Sequence, residues 1–199
     1  MRFFRTSADR ERGAVAVEFA LIAPLFLILV FGVIEISLLL RDYVAVTSLA
    51  RNGARVASSE ARKDSMPADV VDAINKSGSA IPKDSIDEMW IYKAGANGYP
   101  VGYSDFSTCT PGVCVKYFWN DARDRFGPAN NTIGWPANSQ NACIGDANAM
   151  TVGVYIKATH TYVTGATALI GLGRTATVAD HAVMKFEPLP NRDCGRGLT

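Results

Sequence analysis

From Ala14 to Leu40 the chain is almost continuously apolar, broken by Glu18, Glu35 and Ser37. The strictly uncharged stretch, Phe19–Ile34, has 16 residues, fewer than the roughly 20 a spanning helix needs. Phe19–Leu40 reaches 22 residues when Glu35 is included. An ionisable group near a helix end can reach the interface or a protein partner. Pro24 and Gly32 lie inside this run; both are commoner in membrane helices than in soluble ones. The run is longer than a secretory signal core and continues into Ser37-Leu38-Leu39-Leu40-Arg41-Asp42, with no small-x-small cleavage site. A retained anchor is expected.

Helical character continues beyond it. Arg41–Ala61 lacks proline and is rich in Ala, Arg, Leu and Val. Leu38, Val44, Leu49 and Val56 suggest a loose apolar stripe, with Arg41, Asp42, Arg51, Arg55 and Arg62 on the polar side. One helix from Ala14 to about Glu60 would be roughly 70 Å long. Its outer half would need a partner surface. Pro67 suits the first turn of a short helix through Val70, Val71 and Ile74. Gly78 is its expected stop, and Pro82 separates it from the next segment.

The remainder predicts β structure. Met89–Tyr92 and Val113–Trp119 are strand candidates, rich in aromatic and branched residues. Asn120–Ala149, dense in Asn, Gly, Pro and Asp, predicts a long irregular excursion. Thr151–Val163 alternates, with Val152, Val154, Ile156 and Ala158 on one face. Thr175–Phe186 is the fourth strand candidate, with Ala176, Val178, His181, Val183 and Phe186 roughly on pattern. Gly165–Gly173 would be an apolar connector or short helical turn. The expected class is α+β: a long N-terminal transmembrane helix extending into a small antiparallel-sheet domain.

Charge adds direction. The net charge is +1, which argues against a nucleic-acid partner. Met1–Gly13 holds Arg2, Arg5, Arg10 and Arg12 against Asp9 and Glu11, directly before the apolar run. A basic flank of this kind is expected on the cytoplasmic side. All four cysteines, Cys109, Cys114, Cys143 and Cys194, lie in the second half with no CxxC pair. Two disulfides in an oxidising compartment are expected. A hairpin of the last two strands would bring Cys194 near Cys143, and Thr-Pro-Gly-Val between Cys109 and Cys114 is a turn sequence. The pairing Cys109–Cys114 and Cys143–Cys194 is therefore preferred among three.

The most specific constellation lies where the leader meets the apolar run. Gly13 precedes Ala14, and Glu18-Phe19 follows one helical turn after Ala14. A glycine at this point lets an extended backbone enter a protease site. Cleavage would leave Ala14 as a charged terminus. A Glu18 carboxylate in apolar surroundings costs several kcal/mol. The amine of a neighbouring subunit could offset that cost and set the packing register. This arrangement resembles the class III signal of type IV pilins. The tract Gly13–Ile36, with its Glu18-Phe19 pair, Pro24, and the Gly32…Glu35 end, resembles the TadE-like family of minor pseudopilins in the tight adherence (Flp, type IVc) pilus system. The related TadF and TadG proteins carry similar N-termini, so the branch stays open.

The resemblance implies cleavage by a prepilin peptidase between Gly13 and Ala14, and assembly through Glu18 and Phe19. It implies partners among other pilins or pseudopilins and an inner-membrane assembly platform. The organisation would be a cytoplasmic leader at 1–13, a transmembrane helix at 14–40 and an amphipathic extension at 41–62. A short helix and linker would fill 63–82, followed by an extracytoplasmic domain at 83–199. The implied location is the bacterial inner membrane, single pass, with possible incorporation in the pilus. The alternative is a signal-anchored, adhesin-like binding module without a pilus role.

Catalytic chemistry is not expected, nor is a cofactor or metal. His160 and His181 would face each other across the last hairpin, but no spaced carboxylate or cysteine completes a metal site. Gly171-Leu172-Gly173-Arg174-Thr175-Ala176 matches a relaxed dinucleotide pattern without the strand–helix context. Gly102-Tyr103-Ser104-Asp105-Phe106 lacks the closing glycine of a nucleophile elbow. Asp121 and Asp124 could bind calcium but read as a solvated loop. A hydrolase site hidden in Asn120–Ala149 is the remaining enzymatic alternative. Asn75-Lys76-Ser77 and Asn130-Asn131-Thr132 are glycosylation sequons in form only.

Overall fold

The apolar run and its alanine-rich continuation form one helix, α1 (Ser7–Ser59), with Pro24 inside it. The computed structural model describes residues 7–77, 80–129, 134–165, 167, 171, 173–190 and 193–194, with the backbone alone at 7–12. Gly78, Arg2, Arg5 and the 130–132 sequon lie outside the described residues. The second helix, α2 (Met66–Lys76), has Pro in its first turn and buries Met66, Val70, Val71 and Ile74.

Five strands complete the chain: β1 (Ile86–Ala94), β2 (Cys114–Asn120), β3 (Arg125–Pro128), β4 (Thr151–Thr161) and β5 (Thr175–Lys185). They form one antiparallel sheet in the order β3-β2-β1-β4-β5. The α+β class expected from the sequence is thus the observed one. The short strand β3 is the exception, since it lies inside the stretch expected to be irregular. Asn120 turns the chain there, its side chain accepting from the Arg123 backbone N–H at 3.1 Å.

The chain divides into two compact units. One comprises 1–40 and 161–175; the other comprises 41–160 and 176–199. In the second unit the central strand β1 is buried on both faces. Met89 and Ile91 pair with Ile156 and Val154, while Trp90 pairs with Tyr155. A register shift between Ile86 and Glu88 inserts Asp87 and sets Ile86 opposite Ala158, so both are buried.

Residues 41–59 of α1 cover the Met89–Ile91 face. A Cβ added at Gly53 would lie 3.1 Å from Val154 and 2.9 Å from Ile74 of α2. The inward positions are Asp42, Ala45, Val46, Leu49, Ala50, Gly53, Ala54 and Ala57. They recur every three or four residues, as one helix face does. Of the stripe expected from the large aliphatics, Leu49 is buried and Leu38 and Val56 are half-buried, but Val44 is exposed. Small residues let the helix approach the sheet closely, so alanine and glycine define the seam. Asp42, expected on the polar side, is buried beside His160.

The opposite face carries an aromatic layer. Trp90, Tyr92, Ala94, Cys114 and Tyr155 are buried there, with Phe106 and Cys109 packed against them. Phe106 stacks on Tyr155 at 3.9 Å and meets Trp90 and Tyr92 edge-on. Burial pushes the Tyr92 phenol well above its ordinary pKa, with Tyr99 adding to the effect; its hydroxyl donates to the Gly98 carbonyl at 2.8 Å. The loop from 95 to 113 is thus a lid over the sheet, closed by the Cys109–Cys114 disulfide. The second disulfide is Cys143–Cys194. Both bonds are those preferred from the sequence.

The segment from 134 to 149 is tied down at several points. Trp135 packs on Phe186 with ring centroids 5.4 Å apart. Arg62 has positive φ, 65°, and its backbone N–H donates to Gln140 Oε1 at 2.6 Å. Its guanidinium donates to the Gln140 carbonyl at 2.9 Å. Gln140 is buried and its amide donates to the Trp135 carbonyl at 3.3 Å. Gln140→Leu should therefore lower stability by about 2 kcal/mol, because it strands these buried partners. Thermal denaturation of the purified full chain would register that loss; an unchanged midpoint would refute it.

Candidate functional site at the anchor helix

The residues singled out at the N-terminus all lie on α1. Gly13 is helical rather than at an extended junction, because the helix begins at Ser7. A protease acting at Gly13–Ala14 would have to unwind a turn. A Cβ at Gly13 would meet nothing within 4 Å, so the glycine is not required by packing within the chain. Glu18 is exposed and Phe19 is 71% exposed. Pro24 continues the same unburied surface, whereas Gly32 is partly covered. Leu21, Leu25, Phe26 and Leu29 are exposed as well. The helix is long and apolar enough to cross a membrane and is almost unburied over its most apolar stretch. Such a surface suits lipid or other helices, not water.

Glu35 departs from this pattern. It is 2% exposed. Its carboxylate accepts from the backbone N–H of Val163 at 3.1 Å, from that of Thr164 at 2.5 Å, and from the Thr164 hydroxyl at 2.6 Å. All these groups belong to the unit formed by 1–40 and 161–175. From the sequence, Glu35 belongs either at the interface or against a partner helix; its partner is the β4–β5 connector of the same chain. Ser37, the other polar interruption, is satisfied locally by the Val33 carbonyl at 2.7 Å.

The other chemical candidates separate. His160 meets Asp42 through Nδ1 at 2.7 Å, and Arg41 binds the same carboxylate at 2.8 Å. His181 lies against Tyr99 and Phe106. The expected juxtaposition of the two histidines is therefore corrected, and so is the single face expected for β5. Alternation along β5 turns Asp180 to Thr47 of α1, at 2.5 Å, and the adjacent His181 to the aromatic side. Asp121 and Asp124 line a shallow pocket with Lys83, Asp84 and Trp119. Among the described residues no group of three His, Cys, Asp or Glu is placed to hold a metal. The Gly102–Phe106 motif is part of the lid, where Phe106 is a packing residue.

The fold and this helix define a class: a disulfide-containing α+β protein with, among the described residues, one helix long and apolar enough to cross a membrane. Within that class, the model of the family described as TadE-like protein matches residues 13–55, so this part of the chain is similar to that family. No curated protein and no solved structure matches the chain. The TadE-like segment suggests a role in the Tad pilus system, and the apolar helix fits a single-pass membrane protein.

Proposed function

We propose that this chain is a minor pseudopilin of the Tad pilus system, a non-catalytic subunit that acts in assembly or priming of the pilus. It enters the inner membrane with its N-terminus cytoplasmic. A prepilin peptidase cuts it between Gly13 and Ala14. The helix then joins other pilins or pseudopilins at the assembly platform, with the new Ala14 amine and Glu18 setting register, and the sheet unit lies outside. The observation that carries this reading is the TadE-like match beginning at Gly13, on a helix whose Glu18 and Phe19 are left uncovered by the rest of the chain.

Intact-mass measurement of the membrane-extracted protein tests it. Cells with an active prepilin peptidase should yield a chain lacking Met1–Gly13. Gly13→Leu should leave it uncut; since Gly13 packs against nothing within 4 Å, that failure would report on the protease and not on folding. A wild-type chain still starting at Met1, or a processed Gly13→Leu chain, refutes the proposal.

A further inference from the structure

We infer that the free edge of β5 is a docking site for an acidic, extended segment of another chain, which adds a further strand to the sheet.

The two edges of the sheet differ. β3 has 4 residues and ends on Pro128, which blunts it. β5 has 11 residues and no proline, and it closes the order β3-β2-β1-β4-β5 with no strand beyond it. The hairpin shows which of its backbone groups are turned outward. The Tyr162 N–H donates to the Arg174 carbonyl at 2.9 Å, and the Phe186 N–H to the Met150 carbonyl at 3.1 Å. These two bonds share one register, so the even-numbered residues of β5 turn their N–H and C=O to β4. Thr177, Ala179, His181, Val183 and Lys185 turn theirs away from it. Among the described residues, the hydrogen bond on that outer side is the one from the His181 N–H to Asp180 Oδ1, at 2.8 Å. The remaining groups form a template on which a further strand can pair.

Charge selects the occupant. The Thr47 hydroxyl of α1 donates to Asp180 at 2.5 Å, so that flank of the helix lies over β5. Arg51 is its neighbour one turn on, and Arg55 follows a turn later; both are exposed. On the aromatic side Lys185 is exposed at the end of the strand. The hairpin register also sets Lys157 of β4 behind the small Ala179, its ammonium 3.6 Å from Glu88. Among the described residues Arg51, Arg55 and Lys185 make no ion pair. Of the neighbouring acids, Asp180 is held by Thr47 and the His181 N–H, and Glu187 lies beyond the end of the strand. Cations therefore border this edge, and a strand bearing carboxylates complements it. A second copy of this chain does not. Antiparallel pairing of β5 with its own copy would set the two arginine-bearing helices side by side on one face, like charge against like.

Fluorescence anisotropy on the full chain in detergent tests this, with a labelled, end-capped heptapeptide of alternating valine and glutamate as the probe. The peptide should bind saturably. Its lysine counterpart should bind at least about tenfold more weakly, and so should the glutamate peptide to a triple variant with Arg51→Glu, Arg55→Glu and Lys185→Glu. All three positions are exposed, so the variant should keep the native near-ultraviolet circular dichroism. The same peptide methylated at every backbone nitrogen keeps its charges but cannot pair as a strand, and it should not bind. Hydrogen exchange locates the site: the N–H groups of Thr177, Ala179 and Val183 should exchange fast in the free chain and slowly with the peptide bound. Absence of saturable binding, equal affinity for the glutamate and lysine peptides, or an unchanged affinity in the triple variant overturns the inference. Binding of the methylated peptide would mean attraction of charge without strand pairing, which also overturns it. If those N–H groups are already protected in a self-associated chain, a second copy fills the edge and the acidic partner is refuted.

Discussion

Removing the Cys143–Cys194 disulfide by a double serine substitution should lower the stability of the sheet unit by about 4 kcal/mol, about twice the loss from removing Cys109–Cys114. The two bonds close loops of very different length, with sequence separations of 51 and 5. A longer closed loop withdraws more entropy from the unfolded chain. The long bond also anchors backbone hydrogen bonds. The Ala142 N–H donates to the Cys194 carbonyl at 3.0 Å and the Leu189 N–H to the Ala142 carbonyl at 2.8 Å. The Cys109–Cys114 bond instead shapes the lid, whose Phe106 packs on the aromatic face. Urea denaturation of the full chain in detergent, monitored by the fluorescence of Trp90, Trp119 and Trp135, would measure both losses. Equal losses would show that loop length is not what distinguishes the bonds. If the short bond costs more, the lid rather than the 134–149 segment dominates the sheet unit's stability.

The helices and four of the strands are legible in the sequence because their signals are local. Pro67 lies in the first turn of α2, an alternation defines β4, and an almost continuous apolar run marks the part of α1 that is apolar enough to cross a membrane. The phase of the outer half of α1 is not legible. Beside Val46 and Leu49, its buried face is built from Ala45, Ala50, Gly53, Ala54 and Ala57, residues whose small size hides them from a search for large aliphatics. Strand β3 is hidden by composition: Arg125-Phe126-Gly127-Pro128 has turn residues, and Pro128 is at its end on the sheet edge, where proline is tolerated.

At the candidate site, Gly13, Glu18 and Phe19 can be picked out because their meaning depends on spacing along one helix. The partner of Glu35 cannot. Its donors include two backbone N–H groups, which every residue but proline has, and they lie 128 and 129 positions away. The Asp42–His160 pair, 118 positions apart, is invisible for a related reason. Asp42 beside Arg41 reads as surface charge until β4 is laid against the helix. What the sequence does show is that Glu35 is an acid inside an apolar stretch. A buried acid demands donors, and the fold supplies them from β4 and the connector after it.

Gly153→Ala should destabilise the sheet unit by about 3 kcal/mol, although it adds one methyl group. The new Cβ would overlap the Tyr92 phenol, 2.6 Å from Cε2 and 2.5 Å from the hydroxyl. Tyr92 cannot yield cheaply. It is fully buried, bonded to the Gly98 carbonyl at 2.8 Å and in edge contact with Phe106 at 5.6 Å. Moving it opens the aromatic layer and leaves that carbonyl without its donor. Gly53→Ala offers the contrast. There the nearest atom is the flexible Ile74 Cδ1 at 2.9 Å, and alanine gains about 1 kcal/mol of helix propensity, so a near-neutral outcome is expected. A double-mutant cycle isolates the clash. Tyr92→Val should itself cost several kcal/mol, as removal of a large buried side chain does. In that background Gly153→Ala should become neutral or slightly stabilising, because a strand glycine is itself unfavourable by about 0.5–1 kcal/mol. A coupling of at least about 2 kcal/mol is therefore expected between the two positions. If Gly153→Ala cost the same with and without the Tyr92 ring, the glycine would be answering to its backbone alone, and the close approach of ring to strand would not be what holds the aromatic face together.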